Sequence, residues 1–377
     1  MQGKRLLVFT GFYLPSFKAG GPVKTLVNMV EQLDDFQILV VTRDRDLGDE
    51  KAFPNVEVNS WHTLSKASVM YLTPESLSLK RISHLINTSD FDVLYLNSFF
   101  DFNFTIKPLL ARRLRFIKPC PIVLAPRGEF STGALELKSF KKKLFIKVAS
   151  WLGLYRGITC QASSELEKKD IISALNIDPS SIFIAKDLPP KVSVSIGDLA
   201  LKPNEICKIV FLSRISPMKN LDFVLQVLGQ VKSSLVFDIY GPIEDKEYWQ
   251  GCQNLIEQLP SNILVNYCGA VTPDQVADVF SGYDLFFFPT RGENYGHVIA
   301  ESLSVGTPVL LSDQTPWQSL ENDKLGWDLP LDLDFFAEKI DEVANMDAES
   351  RLSWRQQVAV NSVSKINNEQ DIADNVA

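Results

Sequence analysis

Residues 284–313 read DLFFFPTRGENYGHVIAESLSVGTPVLLSD, and their order decides the fold. DLFFF and PVLLSD are short apolar runs without alternation, the pattern of strands buried on both faces. A Gly-bearing polar loop and a helical segment separate them, so the two strands run parallel with a crossover helix between. Two glutamates punctuate this connection: Glu293 in the loop, and Glu301 eight positions on, in the second turn of the helix. In open α/β sheets ligands bind outside the carboxyl ends of the strands, which is where this loop lies.

The same grammar runs along nearly the whole chain. RLLVFT, QILVVT, VEVNSW, SVMYLT, FDVLYLN, PIVLAP and GITCQAS precede an aperiodic, Pro-bearing DLPPKVSVSIGDLALKPNE; KIVFLS, LVFDIYG, ILVNYCG, DLFFFPT and PVLLSD follow it. Such runs alternating with helical patterns predict two Rossmann-like α/β domains with parallel sheets. They span 1–187 and 206–350, joined by a linker over 188–205, and a C-terminal helix in 351–377 packs back toward the first domain. Two such domains facing each other would hold an interdomain cleft.

With 377 residues the chain exceeds one ordinary core and suits two. Its 45% hydrophobic and 22% charged content are those of a soluble globular protein, and no apolar stretch reaches bilayer-spanning length. The opening MQGKRLLVFTGFYLP has the basic start and apolar run of a signal peptide. It lacks a small-residue cleavage site and reads as a first buried strand. Five cysteines without a CxxC pair argue for a reducing cytosol and against zinc. A net charge of −8 excludes a general nucleic-acid binder.

Chemistry is therefore sought in the loops at strand ends. After RLLVFT, Gly20 and Gly21 precede Pro22, a residue favoured at the first helical position. Such a turn can bring backbone N–H groups to an anion, although a turn chosen for geometry alone reads the same way. The stretch has neither G-x-G-x-x-G nor G-K-[ST], so NAD and ATP fit poorly. After KIVFLS, Arg214 and Lys219 supply two cations that suit a diphosphate without a metal; a solvated basic pair is the plain alternative. After DLFFFPT, the backbone of Asn294, Tyr295, Gly296 and His297 opens a helix toward an anion. Glu293 can accept from sugar hydroxyls and Glu301 can grip a vicinal diol, because an ionised carboxylate is acceptor-only.

In order, RISPMK, ENYGHVIAE and GTPVLLSD resemble glycosyltransferase family 4, and AGGP, APRGEF and ASSELEKKDI extend the resemblance over most of the chain. The resemblance implies the GT-B fold and retaining transfer from a nucleotide sugar, UDP ahead of GDP, to a glycan acceptor such as a lipid-linked precursor of lipopolysaccharide. It implies that Arg214 and Lys219 bind the donor diphosphate, that Glu293 meets the transferred sugar, and that Glu301 holds the ribose. Gly269 and Val271 would sit by the base, and Gly20 and Gly21 would face the sugar and leaving phosphate. Where that family carries a His after the strand PIVLAP, this chain has Arg127, placed here beside Glu293 among the catalytic candidates. An ion pair of Arg127 with Glu129 is its structural alternative. A GT-B nucleotide-sugar epimerase and a non-catalytic nucleotide-sugar-binding subunit would keep much of the same constellation.

No cofactor or metal is assigned. The D-x-D patterns at Asp44–Asp46, Asp90–Asp92 and Asp332–Asp334 are expected by chance among 46 acidic residues. Finally, LKSFKKKLFIKVASWLGLYRG places Phe140, Leu144, Val148 and Trp151 on one helical stripe among lysines. Lys141, Lys142 and Lys143 then suit an anionic membrane surface, a peripheral site on the cytoplasmic face. An ordinary core-facing helix with solvated lysines is the alternative.

Overall fold

The computed structural model describes residues 3–130, 139–190, 202–367 and 369–376. Contacts divide the chain into two compact units: Met1–Lys191 with Glu369–Ala377, and Val192–Asn368. The middle of the expected linker, 191–201, lies outside the described residues.

In the first unit the described strands are β1 (Lys4–Thr10), β2 (Phe36–Arg43), β3 (Trp61–Leu64), β4 (Ala67–Leu72), β5 (Val93–Asn97), β6 (Ile122–Ala125), β7 (Thr159–Ala162) and β8 (Ile182–Ile184). They form one sheet in the order β3-β4-β2-β1-β5-β6-β7-β8, parallel except for β3 against β4. The helices are α1 (Gly21–Gln32), α2 (Leu79–Thr88), α3 (Lys107–Arg113), α4 (Ser139–Trp151) and α5 (Glu165–Leu175). The pleat sorts β1 onto two faces. Leu6 and Val8 join Leu26 and Val30 of α1 on one side, while Leu7 and Phe9 join Leu94, Leu96 and Leu124 on the other. Each such side chain, once buried, contributes about 1.5–3 kcal/mol.

The second unit contains β9 (Cys207–Leu212), β10 (Leu235–Tyr240), β11 (Ile263–Gly269), β12 (Leu285–Phe288), β13 (Val309–Ser312) and β14 (Gly326–Leu329). Its helices are α6 (Leu221–Leu228), α7 (Lys246–Ile256), α8 (Val276–Ser281), α9 (His297–Ser304), α10 (Leu333–Ala344) and α11 (Ala348–Ile366). The sheet is parallel throughout in the order β11-β10-β9-β12-β13-β14. Strand order reverses between β9 and β12, and such a reversal opens a ligand-binding crevice at the carboxyl ends. Leu285, Phe286, Phe287 and Phe288 are wholly buried, as a central strand covered on both faces requires.

Both expected parallel-sheet domains are present, with differences at their margins. VEVNSW forms no regular strand: Val58 makes an isolated bridge to Tyr71, and β3 starts only at Trp61. The short edge strands β8 and β14 lie outside the expected set. The C-terminal stretch 351–377 is not one helix returning to the first unit. α11 stays in the second unit because the buried Arg351 and Arg355 donate to Asn204 O and Ser281 O, while Val358 and Ile366 enter that core. A further helix, α12 (Glu369–Val376), is the part that joins the first unit, through Asn375 Nδ2 to Lys186 O at 2.9 Å and the apolar Ile372 and Val376.

Candidate functional site

At the carboxyl edge of the second sheet, the loops after β9 and β12 are laced together. The β9 loop ends in a 3-10 turn, Pro217–Lys219, followed by Asn220 in left-handed backbone at φ 64°. Asn220 Nδ2 donates to Pro289 O at 2.9 Å, and its Oδ1 accepts from Arg291 Nε at 2.8 Å. Met218 O accepts from Arg291 N at 3.0 Å and from Thr290 Oγ1 at 3.1 Å. Asn220 and Thr290 are buried, so these bonds hold one loop firmly on the other.

Within this frame Lys219 Nζ pairs with Glu293 Oε1, the two side chains being 13% and 15% exposed. The ammonium also stands 5.5 Å from the centre of the Phe288 ring. Arg214 does not share the pair: half-exposed, it holds Glu244 through Nη1 at 2.9 and 3.0 Å. Arg291 meets Asp222 at 3.2 Å, and Asp222 is fixed by Tyr248 Oη at 2.6 Å. Each of these three cations is thus set against a carboxylate.

The start of α9 is shaped by Gly296. At φ 81° it occupies backbone that suits glycine, and a Cβ there would lie 2.7 Å from Ile299 Cδ1. Trp317 Nε1 donates to Tyr295 O at 2.6 Å, and the Tyr295 ring lies 4.8 Å from His297 and 5.5 Å from Trp317. Asn294 precedes them half-buried, and Glu301 is half-buried on α9. At the far end of the sheet, Gly269 O accepts from Gly241 N at 2.8 Å, and Val271 packs partly against the core. Gly241 also lies close against the loop after β9, where a Cβ on it would fall 1.8 Å from Ser213 O.

In the first unit, the loop after β1 is pinned by Asp46. It accepts from Ser16 Oγ at 2.5 Å, Phe17 N at 3.0 Å and Lys18 N at 3.2 Å. Burial by itself raises the Asp46 carboxyl, but the bonds from Ser16, Phe17, Leu47 and Lys18 outweigh it and hold the group below its ordinary range. Gly20 caps α1 at φ 69° and spends its own N–H on Phe17 O at 3.0 Å. A Cβ at Gly20 or Gly21 would meet nothing within 4 Å, so this turn is open to an approaching group.

Arg127 is committed elsewhere. Its side chain is 6% exposed. Nε donates to Asn97 Oδ1 at 2.9 Å, Nη2 to Tyr95 Oη at 2.6 Å, and Nη1 pairs with Asp187 Oδ1. Burial pushes the Tyr95 phenol up to about 12, against the pull of the Arg127 charge. The ion pair with Glu129 expected as its alternative is not made. Glu129 instead accepts from Ser98 Oγ and the backbone of Phe99 and Phe100 at 2.8, 2.6 and 3.0 Å.

The D-x-D carboxylates have local duties. Asp44 pairs with Arg45, Asp90 with Arg5, and Asp332 caps α10 through Asp334 N and Phe335 N. Asn220, Thr290 and Arg291 carry no motif of their own, and the D-x-D pattern gave no sign of the role Asp46 plays. Arg291 stands two positions before Glu293, and Asn220 directly follows Lys219.

Residues 200–359 match the family model described as glycosyl transferases group 1. The D-inositol 3-phosphate glycosyltransferase of Mycobacterium sp. (strain JLS) is 27% identical over 158 residues, 39% of this chain and 35% of the relative. The match thus spans about a third of that relative's length. Among solved structures, Anabaena Alr3699/HepE in complex with UDP and glucose aligns over 99% of this chain and 98% of its own, at TM-score 0.67 and 15% identity. The apo form of WaaB, a lipopolysaccharide outer core galactosyltransferase, aligns over 99% and 98% at TM-score 0.61 and 15% identity. These likenesses give the fold class as GT-B, two parallel-sheet α/β domains.

Proposed function

We propose that this chain is a glycosyltransferase that moves a hexosyl group from a UDP-sugar to a glycan acceptor with retention, without a divalent ion. The observation that carries the reading is the shielded Lys219–Glu293 pair, held where strand order reverses between β9 and β12. Sugar transfer leaves negative charge on the departing diphosphate, and a cation fixed in a partly dry site stabilises it more than one in water. Lys219 takes that role, with Arg214 second. Glu293, freed from Lys219, accepts from hydroxyls of the moving sugar, and Glu301 accepts from the ribose diol. Gly20 and Gly21 offer open backbone to an anionic group in the first unit. Arg127, spent on three buried partners, positions its neighbours rather than touching the sugar.

The match of 200–359 to glycosyl transferases group 1 supports the transfer chemistry, and the UDP in complex with the Anabaena protein supports the base. The likeness to a lipopolysaccharide galactosyltransferase supports a surface-polysaccharide acceptor. A thermal-shift screen of UDP, GDP, ADP and their sugars tests the donor, since a ligand at 100 times its Kd stabilises by about 2.7 kcal/mol. Transfer from the preferred donor is then followed with EDTA and with added Mg²⁺, and the anomeric configuration of the product is read by NMR. Activity abolished by EDTA and restored by metal, or an inverted product, would overturn the respective part of the reading.

A further inference from the structure

The helix α4 faces two media. Ile146 and Ala149 are buried, and Phe145 packs inward 6.0 Å from the Phe100 ring and 6.3 Å from Phe99. The opposite side shows Leu144, Val148, Trp151 and Leu152 at 52, 46, 83 and 41% exposure. Their spacing of four, then three and four, aligns them as one stripe. Lys141, Lys143 and Lys147 are exposed beside it. Lys142 is turned inward, 5.1 Å over the Phe100 ring, so the three consecutive lysines do not share one role.

The end of this stripe abuts the end of α3. Arg113 Nε donates to Leu152 O at 2.8 Å, while Arg112 donates to Arg156 O at 2.7 Å and Gly157 O at 2.9 Å. Just beyond, Leu114 and Phe116 are 52 and 53% exposed. Apolar side chains on neighbouring elements, a largely bare tryptophan among them, are rimmed by lysine and arginine. Clustered exposed apolar surface of this kind marks an interaction site. The charge narrows the partner, because the whole chain carries −8 and this face runs against that balance. An apolar interior behind an anionic rim matches it, and tryptophan favours the depth where headgroups meet acyl chains.

We propose that α4, with the end of α3, docks the protein on a bilayer of anionic phospholipid, Trp151, Val148 and Leu144 entering the headgroup boundary and Lys141, Lys143 and Lys147 holding the lipid charge. Among the described residues no helix is long and apolar enough to cross a membrane, so α4 lies in the interface plane. This docking is independent of the sugar chemistry.

The full chain is floated with vesicles of phosphatidylcholine alone or mixed with phosphatidylglycerol. Binding is expected to the mixed vesicles, weakened by salt. Changing Lys141, Lys143 and Lys147 together to Ala should lower the partition coefficient by about 10²-fold. Trp151→Glu should lower binding comparably, and Trp151→Phe should remove a blue shift of fluorescence seen only on binding. Because these side chains are exposed, each variant should melt with the wild type, which separates lost docking from lost folding. Wild-type binding to neither vesicle, or equal binding by Trp151→Glu, overturns the proposal. So does self-association in sedimentation that Trp151→Glu abolishes, since the face would then cover a second copy. Competition by soluble glycerol phosphate as effective as vesicles would assign the lysines to a free phosphate ester and overturn the membrane role.

Discussion

Lys219 and Glu293 neutralise each other across two loops 74 positions apart in the chain. On the proposed reading, a diphosphate would have to compete with the Glu293 carboxylate for the ammonium. Breaking the pair would release both groups at once, the lysine for phosphate and the glutamate for the sugar that the proposed function assigns them.

Glu293→Ala should therefore split two readouts. Turnover should fall about 10²-fold or more, because contact with the moving sugar strengthens in the transition state. Free UDP, which carries no sugar, should bind the variant at least as tightly as wild type, Lys219 having lost its competitor. Lys219→Ala should weaken UDP in the same calorimetric titration. Equal loss of UDP affinity in both variants would place Glu293 on the nucleotide instead.

Glu301→Ala should act on the donor alone. A ribose contact is equal in ground and transition states, so the donor KM should rise while kcat stays near wild type. Initial-rate kinetics over a range of donor concentrations checks this, and a kcat collapse at unchanged KM would refute the ribose role.

Arg127→Ala should cost folding before it costs chemistry. It removes the charge partner of the Asp187 carboxylate, whose side chain is 4% exposed and which keeps the bond from Thr25 Oγ1, and truncating one member of a buried pair costs about 3–5 kcal/mol. Adding Asp187→Asn should recover part of the loss in chemical denaturation. Full stability with kcat gone would instead make Arg127 catalytic.

Asp46→Asn should destabilise the loop after β1 in a pH-dependent way. The carboxyl lies below its usual range in the folded chain, so its contribution is complete above the unfolded value of about 4 and is lost as pH falls through the lower folded value. The melting-temperature gap between wild type and variant should be constant near neutrality and close in acid. A gap that persisted to low pH would show that the carboxylate charge is not what holds Ser16, Phe17 and Lys18.

Much of the second sheet was legible because its strands are covered on both faces, which leaves unbroken apolar runs such as Leu285–Phe288. The loops that follow were legible for the same reason. What the loops do to each other was not: nothing in a linear pattern says that Lys219 meets Glu293, or that Asn220 laces them. Arg127 shows the same bias, since Glu129 two positions away was the easy partner and Asp187, 60 positions away, is the real one. VEVNSW misled because a short β-rich run promises a strand, whereas only Val58, through an isolated bridge, and Trp61, as the first residue of β3, are paired. In α11, Arg351 and Arg355 look like solvated helix charges, yet both are buried to satisfy carbonyls from other segments.

The return of α12 to the first unit makes the second unit an insertion, and that sets an order of events during synthesis. When residue 190 has emerged, all eight described strands of the first sheet exist, but Ile372 and Val376 do not. Domains tend to fold as they are made, so the first unit must wait with that apolar seat bare while Val192–Asn368 are translated. Until the ribosome delivers that helix, this part of the first core lacks the two side chains that complete it.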